Sequence, residues 1–249
     1  AKIVHIDIDG SELSKTVNAV HGLRADVGLT LQKLLPLIKK AEHPLWWQTI
    51  NKLKEAEHEY LDNREGLTPR NTILTLNRHL GENTPVATDV GQHQMWAAQN
   101  LSFKNSRRFI SSGGLGTMGF GLGAAIGAAY GTGEHTVLVT GDGSFGMCLN
   151  ELATAVTYNV PVVILVMNNG VLGMVRQWQT LFFEKHYSNT VLNRKTDFVA
   201  LAKAFGADGV RASDLDELDA ALKKGFEDCG PYVIDCAIDK DEFVLPMLP

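Results

Sequence analysis

Two uninterrupted apolar runs constrain this chain more than any other feature. Residues Thr136 to Thr140 and Val162 to Met167 are β-branched or aliphatic at almost every position. A half-exposed strand alternates apolar and polar residues, so runs of this kind read as central parallel strands covered on both faces. Parallel neighbours require a crossover of a dozen or more residues, usually a helix. The chain supplies the matching punctuation, with strands near 84–88, 107–111, 136–140, 161–167 and 231–238 and helical runs between them. The reading is an α/β fold with a doubly wound parallel sheet, in which ligands sit outside the carboxyl ends of the strands.

Upstream of that pattern the sequence changes character. Residues 2–8 alternate as a strand, and Asp26 is placed to cap a helix through Leu31, Leu34, Leu35 and Ile38 that Pro36 kinks or ends. This βα unit, 1–40, reads as the last piece of a preceding domain. Residues 41–66 read as a linker, an amphipathic helix around Trp46, Trp47 and Ile50 with a polar connection ending at Gly66. Thr68 and Pro69 then open a new domain, 67–249, as a helix cap and a proline at the first helical position. The opening residue is Ala1 rather than Met, and the chain reads as part of a longer one.

Composition narrows the function classes. A net charge of −5 argues against a nucleic-acid surface or an anionic membrane as partner. The longest apolar stretch, Val160 to Met167, is far short of the roughly 20 residues that span a bilayer. Cys148, Cys229 and Cys236 form neither a disulfide framework nor a zinc knuckle, which fits a reducing, cytoplasmic setting. Glycine is over-represented, 24 in 249 residues against a usual share of about 7%.

Chemistry concentrates where the two apolar runs stop. Gly141-Asp142-Gly143-Ser144 follows the first and Asn168-Asn169 the second. From position 142 to position 169 there are 27 residues, room for one helix and one buried strand. Both polar groups therefore emerge at the carboxyl edge of neighbouring strands. One carboxylate, one carboxamide oxygen and a nearby backbone carbonyl make an oxygen half-shell suited to Mg2+, with phosphate oxygens completing it. The flanking glycines allow close approach of a phosphate, and a helix starting near Ser144 offers free N–H groups. Either motif alone reads more readily as an ordinary turn; the pair at this spacing favours a magnesium-diphosphate site.

Three further runs carry a resemblance: Val90 to Gln99 (VGQHQMWAAQ), Ser111 to Gly119 (SSGGLGTMG) and Gly173 to Gln179 (GMVRQWQ). With the Asp142 and Asn169 motifs, they make the chain similar to the catalytic large subunit of acetohydroxyacid synthase, also called acetolactate synthase. The likeness runs over essentially the whole chain. It implies a thiamin-diphosphate-binding fold of the diphosphate-holding type, with Val90, Gly91, Gln92 and His93 at the diphosphate together with Gly143 and Ser144. It further implies that the Gly116 carbonyl receives the cofactor's amino group and that Met118 supports its bent conformation. Asp142, Asn169 and the Val171 carbonyl become the Mg2+ ligands, and Gly170 and Val171 stand where some relatives carry acidic residues. Met174 and Trp178, four apart on one helix, become substrate residues, Trp178 shaping the choice of the second 2-oxo acid. Taken without the resemblance, Met174 and Trp178 are equally a core pair, while Met118 reads rather as a core methionine and Gly91 to His93 as a helix start capped by a histidine.

The resemblance also implies what this chain does not carry. The glutamate that activates the cofactor belongs to a pyrimidine-binding domain, and neither Glu151 nor Glu184 matches it, so no catalytic acid is assigned here and the chain alone is expected to be inactive. Asp7 and Asp26 resemble positions that contact FAD. The implied reaction is decarboxylation of pyruvate and carboligation to a second pyruvate or to 2-oxobutyrate, giving 2-acetolactate or 2-aceto-2-hydroxybutyrate. The implied partners are further copies of the chain, an N-terminal pyrimidine-domain segment and a regulatory subunit. Two alternatives stay open: another thiamin-diphosphate carboligase or decarboxylase, and a non-catalytic cofactor-binding partner domain.

Overall fold

A computed structural model describes residues 1–60, 64–193 and 195–245. The chain divides into two compact units, Ala1–Leu61 and Asp62–Pro249.

In the first unit, strand β1 (Val4–Asp7) pairs in parallel with β2 (His21–Arg24), and helices α1 (Val27–Leu34) and α2 (Pro44–Tyr60) follow. The second strand corrects the reading of a single βα unit. His-Gly-Leu-Arg is exposed throughout, so it carries no alternation that a sequence pattern could reveal. Asp26 does cap α1, its carboxylate accepting the Leu29 N–H at 2.8 Å. The helix stops before Pro36, which lies in a short 3-10 turn.

The second unit is built on six parallel strands in the order β4-β3-β5-β6-β8-β7. In chain order its elements are α3 (Pro69–His79), β3 (Val86–Thr88), α4 (Gln92–Asn100), β4 (Phe109–Ser111), α5 (Gly121–Thr132), β5 (Thr136–Gly141), α6 (Asp142–Cys148), α7 (Leu152–Thr157), β6 (Val162–Asn168), α8 (Gly173–Phe182), α9 (Phe198–Phe205), β7 (Asp208–Ala212), α10 (Leu215–Glu227) and β8 (Tyr232–Ala237). Thr68 caps α3 by accepting the Asn71 N–H, with Pro69 in the first turn.

Side chains alternate between two cores. Val137 and Val139 of β5, Val163 and Leu165 of β6, and Ile234 of β8 face α3, α4 and α10. Leu138, Ile164 and Val233 face α5, α6, α7 and α9. Both faces of the central strands are thus covered, which is why β5 and β6 are almost wholly apolar, with Thr136, Thr140 and Asn168 as their polar residues. β7, an edge strand the sequence pattern does not show, buries only Gly209 and Ala212 completely. Among the described residues, no helix is long and apolar enough to cross a membrane.

Topology fixes where a ligand can bind. From β3 the chain first builds β4 on one side and then returns to place β5 on the other. The carboxyl ends of β3 and β5 therefore diverge into a crevice, the switch point of a doubly wound sheet.

Candidate functional site

At that crevice lies a cavity of about 120 Å³. Its walls come from the segments that follow β3, β5 and β6. Val90, Gly91, Gln92 and His93 line it from the first, Asp142, Gly143 and Ser144 from the second, and Asn169 and Val171 from the third. Met118 and Met174 complete it on either side. Residues chosen from four separate stretches of sequence thus meet in one place. Gly116 and Trp178 are not among the lining residues: Gly116 sits in an exposed loop, and Trp178 packs on Phe182 with ring centroids 5.1 Å apart.

His93 sits in the floor, only 6% exposed. Its ring fills space left by two absent side chains: a Cβ on Gly91 would lie 2.7 Å from Cε1, and one on Gly141 would lie 2.9 Å from Nδ1. Gly91 also holds φ at +155°, a conformation that other residues rarely adopt. Burial drives the imidazole pKa down to about 3, so the ring is neutral at physiological pH. Its Nε2 is buried without a partner. Burying such an atom costs on the order of 1–3 kcal/mol unless a ligand or water satisfies it.

Asp142 opens α6 at the end of β5 and is only 4% exposed. The helix begins there, two residues earlier than Ser144, so the carboxylate lies in its first turn beside the positive end of the dipole. Ser144 Oγ donates to the Val90 carbonyl at 2.9 Å, tying α6 to the loop after β3. Asn169 Oδ1 accepts the Val171 N–H at 3.1 Å, closing a turn. A second stretch braces that turn: Leu172 N–H donates to the Thr190 carbonyl at 2.7 Å and Leu192 N–H to the Gly170 carbonyl at 2.9 Å. A carboxamide oxygen keeps a second lone pair in such a turn, so Asn169 remains able to ligate.

The donor set decides which ion fits. Among the described residues no three His, Cys, Asp or Glu side chains cluster in a way that could hold a metal. A cation in this cleft meets one carboxylate, one carboxamide and backbone carbonyls, a hard-oxygen set of low charge suited to Mg2+ shared with an anionic ligand. The His93 Nε2, buried without a partner among the described residues, and the N-terminal end of α6 fit that anion as phosphate.

Two features of the site escaped the sequence reading. Asp89, wholly buried, accepts the Gly119 N–H at 2.8 Å, the Val90 N–H at 3.0 Å and the Gly121 N–H at 3.4 Å. It joins the loop after β3 to the glycine-rich loop carrying Met118, and burial raises its pKa. On α8, Arg176 and Gln177 are buried polar residues, Arg176 donating to Asp241 Oδ1 from Nε at 2.9 Å and from Nη2 at 2.7 Å. An acid directly after a buried strand was the available signal for Asp89; nothing local marked Arg176 or Gln177.

In the first unit, Asp7 Oδ1 accepts the Asp9 N–H and Asp26 caps α1. Both carboxylates serve their own turns.

Comparison with known proteins sharpens the picture. Residues 89–236 match the family model described as thiamine pyrophosphate enzyme, C-terminal TPP binding domain. The chain is 41% identical to the mitochondrial acetolactate synthase catalytic subunit of Saccharomyces cerevisiae, with 99% of this chain and 37% of that protein covered. It is 40% identical to the acetolactate synthase isozyme 2 large subunit of Escherichia coli, with 100% and 45% covered. It is 38% identical to the chloroplastic acetolactate synthase 1 of Nicotiana tabacum, with 100% and 40% covered. The chain thus spans less than half the length of each of these relatives.

Proposed function

The chain belongs to the thiamine pyrophosphate enzymes, carrying their C-terminal TPP-binding domain, and from that premise we propose that it is the Mg2+- and diphosphate-holding part of an acetohydroxyacid synthase. The observation that carries the proposal is the meeting of Asp142, Asn169 and the orphaned His93 Nε2 around one cleft at the switch point. Asp142, Asn169 and the Val171 carbonyl would hold Mg2+, while Val90, Gly91, Gln92, His93, Gly143 and Ser144 would hold the diphosphate. Met118 would support the cofactor, and the Gly116 carbonyl, outside the cleft lining in this structure, would receive its amino group. The chemistry that thiamin diphosphate supplies when bound is an electron sink beside the carboxyl-bearing carbon of a 2-oxo acid, which lets carbon dioxide leave.

This chain's residues bind and orient. Neutral His93 accepts or donates at Nε2 without carrying charge into the site. Met174 borders the reacting end, and Trp178, one helical turn on, selects the second 2-oxo acid. No acid of this chain serves as the activating group; that role falls to a glutamate of a pyrimidine-binding domain, supplied by another segment or another copy. A regulatory subunit is a further partner of the whole enzyme. The three free thiols fit a reducing compartment such as the cytoplasm. Asp7 and Asp26 each accept one local N–H, which leaves their carboxylates with acceptor capacity for the FAD that the complete enzyme would bind.

The test is acetolactate formation from pyruvate with thiamin diphosphate and Mg2+, by the chain alone and after addition of the pyrimidine-binding segments as a separate polypeptide. The chain alone should give no turnover and the reconstituted complex should. A stable complex that binds cofactor but releases no carbon dioxide would instead favour a non-catalytic domain. A product other than acetolactate would point to a different thiamin-diphosphate enzyme.

A further inference from the structure

Gln177 is fully buried and engaged on both sides of its carboxamide. Its Nε2 donates to the Val244 carbonyl at 2.8 Å and its Oε1 accepts the Val244 N–H at 2.9 Å, so the side chain pairs with one backbone residue as a neighbouring strand would. The same Oε1 accepts from Gln92 Nε2 at 2.8 Å. Gln92 lines the cleft, and its Nε2 reaches the Glu242 carbonyl as well, also at 2.8 Å. The remaining atom of that carboxamide, Gln92 Oε1, is buried without a partner. It lies where a Cβ on Gly173 would collide with it, at the start of α8.

Through Gln92 one side chain therefore joins three elements: the start of α4, the helix α8 and the segment 239–245. No residue of 239–245 is among those lining the cleft, and the segment meets the cleft wall through Gln92. The carboxamide of Gln92 cannot turn toward or away from the cleft without breaking bonds to Gln177 and to the Glu242 carbonyl. Each broken bond inside a buried network leaves an uncompensated polar group, so the arrangement moves as a unit.

We propose that Gln177 is a positioning residue for cofactor binding: through Gln92 it couples occupancy of the cleft to the order of segment 239–245. The inference rests on the functional reading above, in which Gln92 belongs to the diphosphate site. Coupling between two sites is reciprocal, so a cofactor that needs Gln92 in place must in turn steady the segment that holds it there.

The experiment uses the enzyme at its native length with thiamin diphosphate and Mg2+. Hydrogen exchange of the backbone across 239–245 should slow when cofactor is added to the wild type. Replacing Gln177 by Met, similar in volume but unable to pair, should abolish that protection and weaken cofactor binding by about 10-fold, with turnover at saturating cofactor changed less than about 3-fold. In a Gln92→Ala background the same replacement should leave cofactor affinity within about 2-fold, because the path through Gln92 is already gone. Exchange in 239–245 that ignores cofactor in the wild type overturns the proposal, even if Gln177→Met fails to fold. So does an unaltered affinity in Gln177→Met, or effects of the two substitutions that simply multiply. Should the wild type bind no thiamin diphosphate at all, the functional reading itself falls; should it bind while these signals are absent, only the role of Gln177 falls.

Discussion

The carboxylate of Asp89 holds the backbone N–H of Gly119 at 2.8 Å, thirty residues further along the chain. That bond, with its companions to Val90 and Gly121, sets the glycine-rich loop against the loop that follows β3. The Met118 and His93 sides of the cleft are therefore positioned by one buried acid. Removing it in Asp89→Ala strands up to three N–H groups, each worth on the order of 1 kcal/mol or more. The expected result is a loss of about 2–4 kcal/mol in stability, and weaker cofactor binding. Chemical denaturation compared with Asp89→Asn, which keeps one acceptor oxygen, checks the assignment; equal stability of Asp89→Ala and wild type would remove it.

Asp142 is the only carboxylate among the proposed Mg2+ ligands. Asp142→Ala should leave the fold intact while reducing Mg2+-dependent affinity for thiamin diphosphate by about 100-fold or more, since a hard cation loses its charged ligand. Titration calorimetry at fixed Mg2+ measures this directly. An unchanged cofactor affinity would exclude Asp142 from the site.

His93 gives the protein a definite acid sensitivity. Its folded pKa, about 3, lies below the ordinary value of 6.5. The unfolded chain therefore takes up a proton that the folded protein refuses. The stabilisation is complete above pH 6.5 and is lost progressively as pH falls toward 3, at up to about 1.4 kcal/mol per pH unit. His93→Gln, which does not titrate, should show a shallower decline over that range. Parallel curves for the two proteins would mean that the ring is not buried in its neutral form.

Trp178 stands outside the cleft lining, 42% exposed, one helical turn beyond Met174. A role in choosing the second 2-oxo acid requires it to face substrate in the complete enzyme. Trp178→Ala should lower the preference for 2-oxobutyrate over pyruvate by about 10-fold, the scale of one methylene contact. A competition assay reads the product ratio, and a ratio that does not move would return Trp178 to the role of a packing partner for Phe182.

How much of this could be read before the structure depended on whether the signal was local. The central strands β5 and β6 announced themselves because a strand buried on both faces has no polar residues to hide it. Asp142 and Asn169 were legible because each directly follows such a strand. β2 and β7 were not: one is wholly exposed and the other an edge strand, so neither imposes a pattern on its residues. Asp89 was passed over for the Val90-Gly91-Gln92-His93 run beside it, because its partners lie thirty residues away. Gln177 was hidden more deeply still, since a buried glutamine on a helix looks like any surface glutamine until the partner backbone is in place.

The ring of His93, lodged where Gly91 and Gly141 have no side chains, makes three positions spread over fifty residues occupy a single volume. Their permissible replacements are consequently not independent. A library that varies Gly91 or Gly141 with His93 held fixed should return almost nothing but glycine, whereas one that shrinks position 93 at the same time opens position 141 while Gly91, at φ +155°, stays glycine. For anyone reshaping this cleft toward another phosphate-bearing ligand, positions 93 and 141 must be exchanged together, and the order in which single steps are taken decides whether the path passes through folded protein.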